Sequence, residues 1–151
     1  MNTLVARTSC AASPSDAWYA LRGYQWWLSP REVATYDADH IGEDPGHLAG
    51  RPVVLLLFDE HHLRCRTVAL DQERRMTLSV RWRRAVNAEL TFEIAPVADG
   101  CELVHRRSYR GLVTRYLATV WRAREEEEQE ALLRDWCWEA GTIAAQRRYA
   151  V

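Results

Sequence analysis

The chain has no lysine: all 20 of its basic residues are arginine. Against 21 acidic residues they leave a net charge of −1, so no excess of one sign draws in nucleic acid or an anionic membrane. Long apolar runs are also missing. The longest, Val53 to Phe58, falls far short of the roughly 20 residues a membrane-spanning helix needs. Met1 to Arg7 lacks a charged segment followed by an apolar signal core, which predicts a cytoplasmic protein. No linker, fixed-period repeat or low-complexity tail divides the sequence, so a single domain over residues 1–151 is expected.

Chemical signatures are equally sparse. Cys10, Cys65, Cys101 and Cys137 contain no C-x-x-C pair and read as reduced, mostly buried thiols. No G-x-S-x-G, G-x-G-x-x-G or Walker loop occurs, because Gly42, Gly46 and Gly50 have the wrong spacing. His61 and His62 are adjacent and would point to opposite faces of a strand. His40 and His47 flank a loop with Glu43 and Asp44, a weak metal pattern. Neither a metal nor a cofactor is expected.

What the chain does have is tryptophan, seven in 151 residues, which suits a core or an apolar pocket. Leu4 to Cys10 reads as a first strand. Ser13-Pro14-Ser15-Asp16 then signals a helix start, with Ala17, Trp18 and Leu21 on one face and Gly23 at the end. A second helical turn is expected over Tyr24 to Leu28, stopped by Pro30. Strands follow at Glu32 to His40, Arg51 to Phe58, Leu63 to Leu70 and Met76 to Arg83. The cleanest alternation puts Ala88, Leu90, Phe92 and Ile94 on one face and Glu89, Thr91 and Glu93 on the other. Asp99-Gly100 marks a hairpin, and Glu102 to Tyr109 runs back.

Everything after Gly111 reads as helix. One straight helix to Tyr149 would be about 57 Å long, so a short helix over Leu112 to Trp121, a bend, and a main helix from about Glu125 are expected. The run Glu125 to Glu128 then forms a first turn and a solvated face, while Leu132, Leu133, Trp136, Ala140, Ile143 and Ala144 form the buried stripe.

This order of elements resembles the START/Bet v 1-like (SRPBCC) superfamily, and within it the polyketide cyclase/dehydrase and Hsp90-ATPase-activator-like branches. The likeness rests on Ala12 to Leu21, on Trp26-Trp27-Leu28-Ser29-Pro30, on Gly50, on Ala69-Leu70-Asp71 and on Ala98 to Val104. It implies a helix-grip α+β fold: a curved seven-stranded antiparallel sheet wrapped round a long C-terminal helix, with two short helices near the N-terminus. The implied partner is a hydrophobic small molecule, free or presented on an acyl carrier protein, with a homodimer left open. The implied activity is cyclisation or dehydration of a polyketide-like intermediate. The alternatives are a carrier or sensor that only binds, and an Hsp90-activator-like interaction module.

If the alternation of Ala88 to Ile94 faces a pocket, pairing through the hairpin turns Leu103, His105, Arg107 and Tyr109 inward and Glu102, Val104 and Arg106 outward. Cyclising a poly-β-ketone needs a base beside a carbonyl, an acid for the departing hydroxyl and a donor for the enolate oxygen. His105 suits the base or acid role, Arg107 the enolate and Tyr109 a carbonyl. In aromatase/cyclase relatives a polar residue of this last strand contributes to catalysis, which points to Arg107 or its neighbours. The plainer reading has His105 and Tyr109 as satisfied polar groups and Arg107 paired with a carboxylate. Trp26, Trp27, Tyr36, Arg66, Trp82, Leu90, Phe92, Tyr116 and Trp136 are the candidate ligand-lining residues, with Tyr116 and Trp121 as a lid.

Overall fold

The computed structural model describes residues 2–22, 64–82 and 86–150. The expected helical turn at Tyr24 to Leu28 and the strands at Glu32 to His40 and Arg51 to Phe58 lie outside them, so the count of seven strands rests on segments not described. Within them the chain is α+β, in the order β1 (Asn2–Cys10), α1 (Pro14–Arg22), β2 (Arg64–Asp71), β3 (Arg75–Trp82), β4 (Val86–Val97), β5 (Gly100–Tyr109), α2 (Leu112–Val120) and α3 (Arg122–Tyr149). The five strands form one open antiparallel sheet, ordered β1-β5-β4-β3-β2.

Local chemistry sets the element ends. Ser13 Oγ accepts the Asp16 amide at 3.1 Å and donates to the Asp16 carboxylate at 2.9 Å, which caps α1 with Pro14 as its first residue. The β4–β5 hairpin turns through Ala98 and Asp99, and Gly100 opens β5 at φ +142°. A Cβ there would stand 2.1 Å from the Cys10 carbonyl oxygen, so only glycine lets the hairpin lie against the end of β1. Gly111, at φ +80°, turns the chain from β5 into α2.

The break between the last two helices falls at Trp121, and α3 begins at Arg122, one turn before the acidic run. Its 28 residues span about 42 Å at 1.5 Å each. One face of α3 lies on the sheet, through Leu132, Leu133, Trp136 and Ala140, all buried. Trp136 also donates its indole N–H to the Ala17 carbonyl at 2.9 Å, joining α3 to α1. The core thus lies between one sheet face and these helices, with Met76, Leu78, Val80, Leu90, Phe92, Ile94 and Leu103 from the sheet. No helix among the described residues is long and apolar enough to cross a membrane.

The strand parity is as expected, with one refinement. Leu103, His105, Arg107 and Tyr109 face the core. Val104 is buried too, although it is on the opposite face. It sits in register between Arg7 and Glu93. The ion pairs Arg7–Glu102 and Arg106–Glu93 lie across that face and shield it.

Candidate active site

Strand β5 delivers three polar side chains into the apolar core at every second residue, and α3 supplies their partners. Arg107 Nη1 lies 2.7 Å from Glu125 Oε2, with the two side chains only 1% and 2% exposed. The Tyr109 hydroxyl donates to the same oxygen at 2.8 Å. Arg107 Nε donates to His105 Nε2 at 3.2 Å. On its other side His105 Nδ1 is 3.1 Å from the Thr91 carbonyl. That carbonyl can only accept, so Nδ1 carries the proton and Nε2 offers its lone pair to Arg107.

One helical turn beyond Glu125, Gln129 directs its amide at two carbonyls, Leu4 O and His105 O, each at 3.1 Å. It thereby ties α3 to β1 and β5 at the level of the cluster. Phe92 lies against the His105 ring, with centroids 4.5 Å apart, and Trp136 meets Phe92 edge-on at 5.7 Å. The polar cluster is therefore walled by aromatic and aliphatic groups.

Burial shapes the acid–base behaviour. His105 is held well below its ordinary pKa, first by desolvation and then by the Arg107 charge, against the pull of the Thr91 bond. It is a neutral imidazole near pH 7. Tyr109 is pushed up, by burial first and by the Glu125 charge next, so its hydroxyl stays protonated.

Of the residues singled out in the sequence, His105, Arg107, Tyr109, Leu90, Phe92 and Trp136 are brought together on the inner face. Tyr116 is not among them: it stands 68% exposed on α2. Trp121 sits at the helix break under the Arg124 guanidinium, 5.4 Å from its ring centre. Trp26, Trp27 and Tyr36, and the side chains of Arg66 and Trp82, lie outside the described residues.

Glu125 corrects the expectation for the acidic run. Because α3 starts at Arg122, Glu125 lies within the helix and turns inward, while Glu126 pairs with Arg122 at the surface. Positions 125, 129, 132, 133, 136 and 140 make one continuous helical face. Extending the apolar stripe back by 3.6 residues per turn would have found both Glu125 and Gln129.

Among the described residues, two hollows adjoin this region. An open groove of about 810 Å³ runs between β1 and α3, lined by Arg7, Leu133, Arg134, Cys137, Trp138 and Thr142 among others. A smaller one of about 230 Å³ lies over Thr3 to Ala6, with Arg122, Glu126 and Gln129 on its other side. Neither is lined by His105, Arg107 or Tyr109, though Gln129 is shared between the smaller hollow and the cluster.

Residues 1–135 match the family described as polyketide cyclase / dehydrase and lipid transport. The chain belongs to that family. It is the polyketide cyclase/dehydrase branch of the START/Bet v 1-like resemblance that the sequence carries. No curated protein matches the chain in sequence. Solved structures of the same fold include a Rhodobacter sphaeroides protein, 22% identical, with 95% of this chain and 93% of that one covered and a TM-score of 0.61. A Mesorhizobium loti protein is 14% identical over 96% and 98% of the two chains, with a TM-score of 0.63. The di-domain ARO/CYC StfQ from the steffimycin biosynthetic pathway is 13% identical, with 95% of this chain and 51% of that one covered and a TM-score of 0.64. At these identities the likeness is one of fold.

Proposed function

We propose that the protein binds a hydrophobic, polyketide-like small molecule and catalyses its cyclisation or dehydration, with Glu125, Arg107 and Tyr109 at the reacting end. The family sets the class of chemistry. The observation that carries the reading is the fully buried Arg107–Glu125 pair with Tyr109 on the same carboxylate. Apolar side chains of similar size would fill this space at no desolvation cost, so a buried ion pair here calls for a reason other than stability.

In this reading α3 parts from β5 to admit the substrate, because the cluster is buried and lines neither hollow. The Glu125 carboxylate then removes a proton from a methylene beside a carbonyl. Arg107 and the Tyr109 hydroxyl hold the enolate oxygen as charge develops on it. The enolate carbon then attacks a second carbonyl further along the chain. Protonated Glu125 returns that proton to the alkoxide formed by the attack. In the dehydration step it removes a second proton beside the first carbonyl and delivers it to the departing hydroxyl, which leaves as water as the double bond forms. His105 fixes the Arg107 guanidinium through Nε2 and is a positioning residue. A substrate presented free or on an acyl carrier protein, in the cytoplasm, fits this chemistry.

Tyr109→Phe and Glu125→Gln test the assignment with minimal change of shape. Turnover of a linear poly-β-keto thioester is followed by the rise of aromatic absorbance. Loss of one enolate donor is expected to lower kcat on the order of 100-fold, and loss of the base to lower it at least as much. Unchanged turnover in both variants, with circular dichroism intact, overturns the reading.

A further inference from the structure

The larger hollow, between β1 and α3, is set apart from the polar cluster. Its α3 side is built from two rows of residues four apart, which an α-helix places side by side. Leu133, Cys137, Gly141 and Ala145 form one row, small or apolar throughout. From the first of them to the last the helix advances about 18 Å at 1.5 Å per residue. The neighbouring row carries Arg134 and Trp138. Trp138 is 77% exposed, so a large indole stands in water beside an apolar strip. A Cβ added at Gly141 would meet nothing within 4 Å, so the strip is open there and not filled by packing.

Charge is confined to one end of this groove. Glu130 and Arg134 line it where α3 is nearer its start, whereas no lining side chain from Cys137 to Ala145 is charged. Arg7 joins the charged end from β1, because the strand passes Gln129 at Leu4 and reaches Cys137 only at Ser9. Glu102 engages Arg7 at 3.1 Å. Among the described residues Arg134 meets no carboxylate, not even Glu130 one turn before it.

We propose that the groove is a second binding site, for a single-chain aliphatic carboxylate. Its head lies against Arg134, and its hydrocarbon runs along Leu133, Cys137, Gly141 and Ala145 beside Trp138. About 810 Å³ with a mostly apolar lining is the size and character of a small-molecule site. Burying the strip and the indole drives binding, and the charged end fixes the direction of the chain. A guanidinium holds a carboxylate through two parallel N–H···O bonds, which makes an anionic head the match for Arg134. One negative charge suits this end better than two, since Glu130 stands beside it. The site does not depend on the chemistry of the cluster, because His105, Arg107, Tyr109 and Glu125 do not line it.

Decanoate and decyltrimethylammonium, each below its micelle concentration, are titrated calorimetrically into the full-length protein at pH 7, and amide NMR locates each. Decanoate is expected to saturate one site, shift the Gly141 and Ala145 amides and the Trp138 indole N–H, and bind on the order of ten-fold more tightly than the cation. Gly141→Leu fills the strip, and leucine is the better helix former, so the variant folds and binding is lost. Arg134→Gln weakens decanoate about ten-fold and abolishes its advantage over the cation. Glu130→Gln strengthens decanoate, because it removes a like charge. The absence of saturable decanoate binding, equal affinity for the two head groups, shifts centred on His105 and Glu125, or undiminished binding in Gly141→Leu each overturn the proposal. Thermal melts establish that every variant is folded.

Discussion

Arg106 and Arg107 are neighbours on one strand and both pair with a glutamate, yet they live in different solvents. Arg106 lies on the outer face, with 37% of its side chain exposed, and meets Glu93 at 3.2 Å. Arg107 is 1% exposed and meets Glu125 at 2.7 Å between sheet and helix. Water screens the outer pair and supplies whatever bonds it leaves unmade. The inner pair has only protein, so His105, Tyr109 and the Glu125 carbonyl complete it. One residue of strand parity therefore turns the same side chain from a surface charge into a committed part of the core.

The difference is tested most severely by removing one partner. Glu125→Ala leaves the Arg107 charge buried without its carboxylate, which is expected to cost about 3–5 kcal/mol in urea unfolding. Arg107→Met with Glu125→Leu removes both charges and keeps the volume, so much of that stability should return while turnover stays absent. If the double variant were no more stable than Glu125→Ala, the loss would come from packing and not from an orphaned charge.

Next comes pH. The folded His105 pKa lies below its unfolded value near 6.5, so in the window between the two the unfolded chain binds the extra proton. Stability is therefore complete above about pH 6.5 and falls as pH drops through the window, by up to about 1.4 kcal/mol per unit. His105→Gln can keep both hydrogen bonds without titrating. A difference of about one proton between the slopes of wild type and variant from pH 6.5 to 5 is expected, and parallel slopes would contradict a neutral, buried His105. Tyr109→Phe is smaller again, about 1 kcal/mol, because it removes one hydrogen bond to an acceptor that Arg107 still satisfies.

How much of this was legible in the sequence follows the range of the forces involved. Alternation along residues 88–94 and the Asp99-Gly100 turn are local signals, and they fixed which side chains of β5 face inward. The opening over Ala12 to Leu21 and the segments around Gly50 and Gly100 carried the superfamily. Glu125 was misplaced because a run of four glutamates looks like a solvated helix start, although the apolar stripe of Leu132, Leu133 and Trp136, continued back one turn at a time, gives the phase that turns it inward. The approach of three cysteines was invisible for a different reason. Cys10, Cys101 and Cys137 meet through a strand pair and a helix crossing, contacts over more than 90 residues that no spacing rule encodes.

The smallest effect belongs to Arg106→Ala, and it completes the comparison. Its ion pair with Glu93 is partly hydrated, so the median for exposed pairs applies, about 0–1 kcal/mol. Part of even that would come from the arginine's aliphatic stem, which stands on the same strand face as buried Val104 two residues away. Salt separates the two contributions: in 1 M NaCl the Debye length shrinks to about 3 Å, so the ionic share should vanish and the packing share should remain. Arg107→Ala should show no comparable salt relief, because ions do not enter the space between β5 and α3. Equal salt sensitivity in the two variants would mean that water reaches Arg107, and the distinction between the two faces of β5 would collapse.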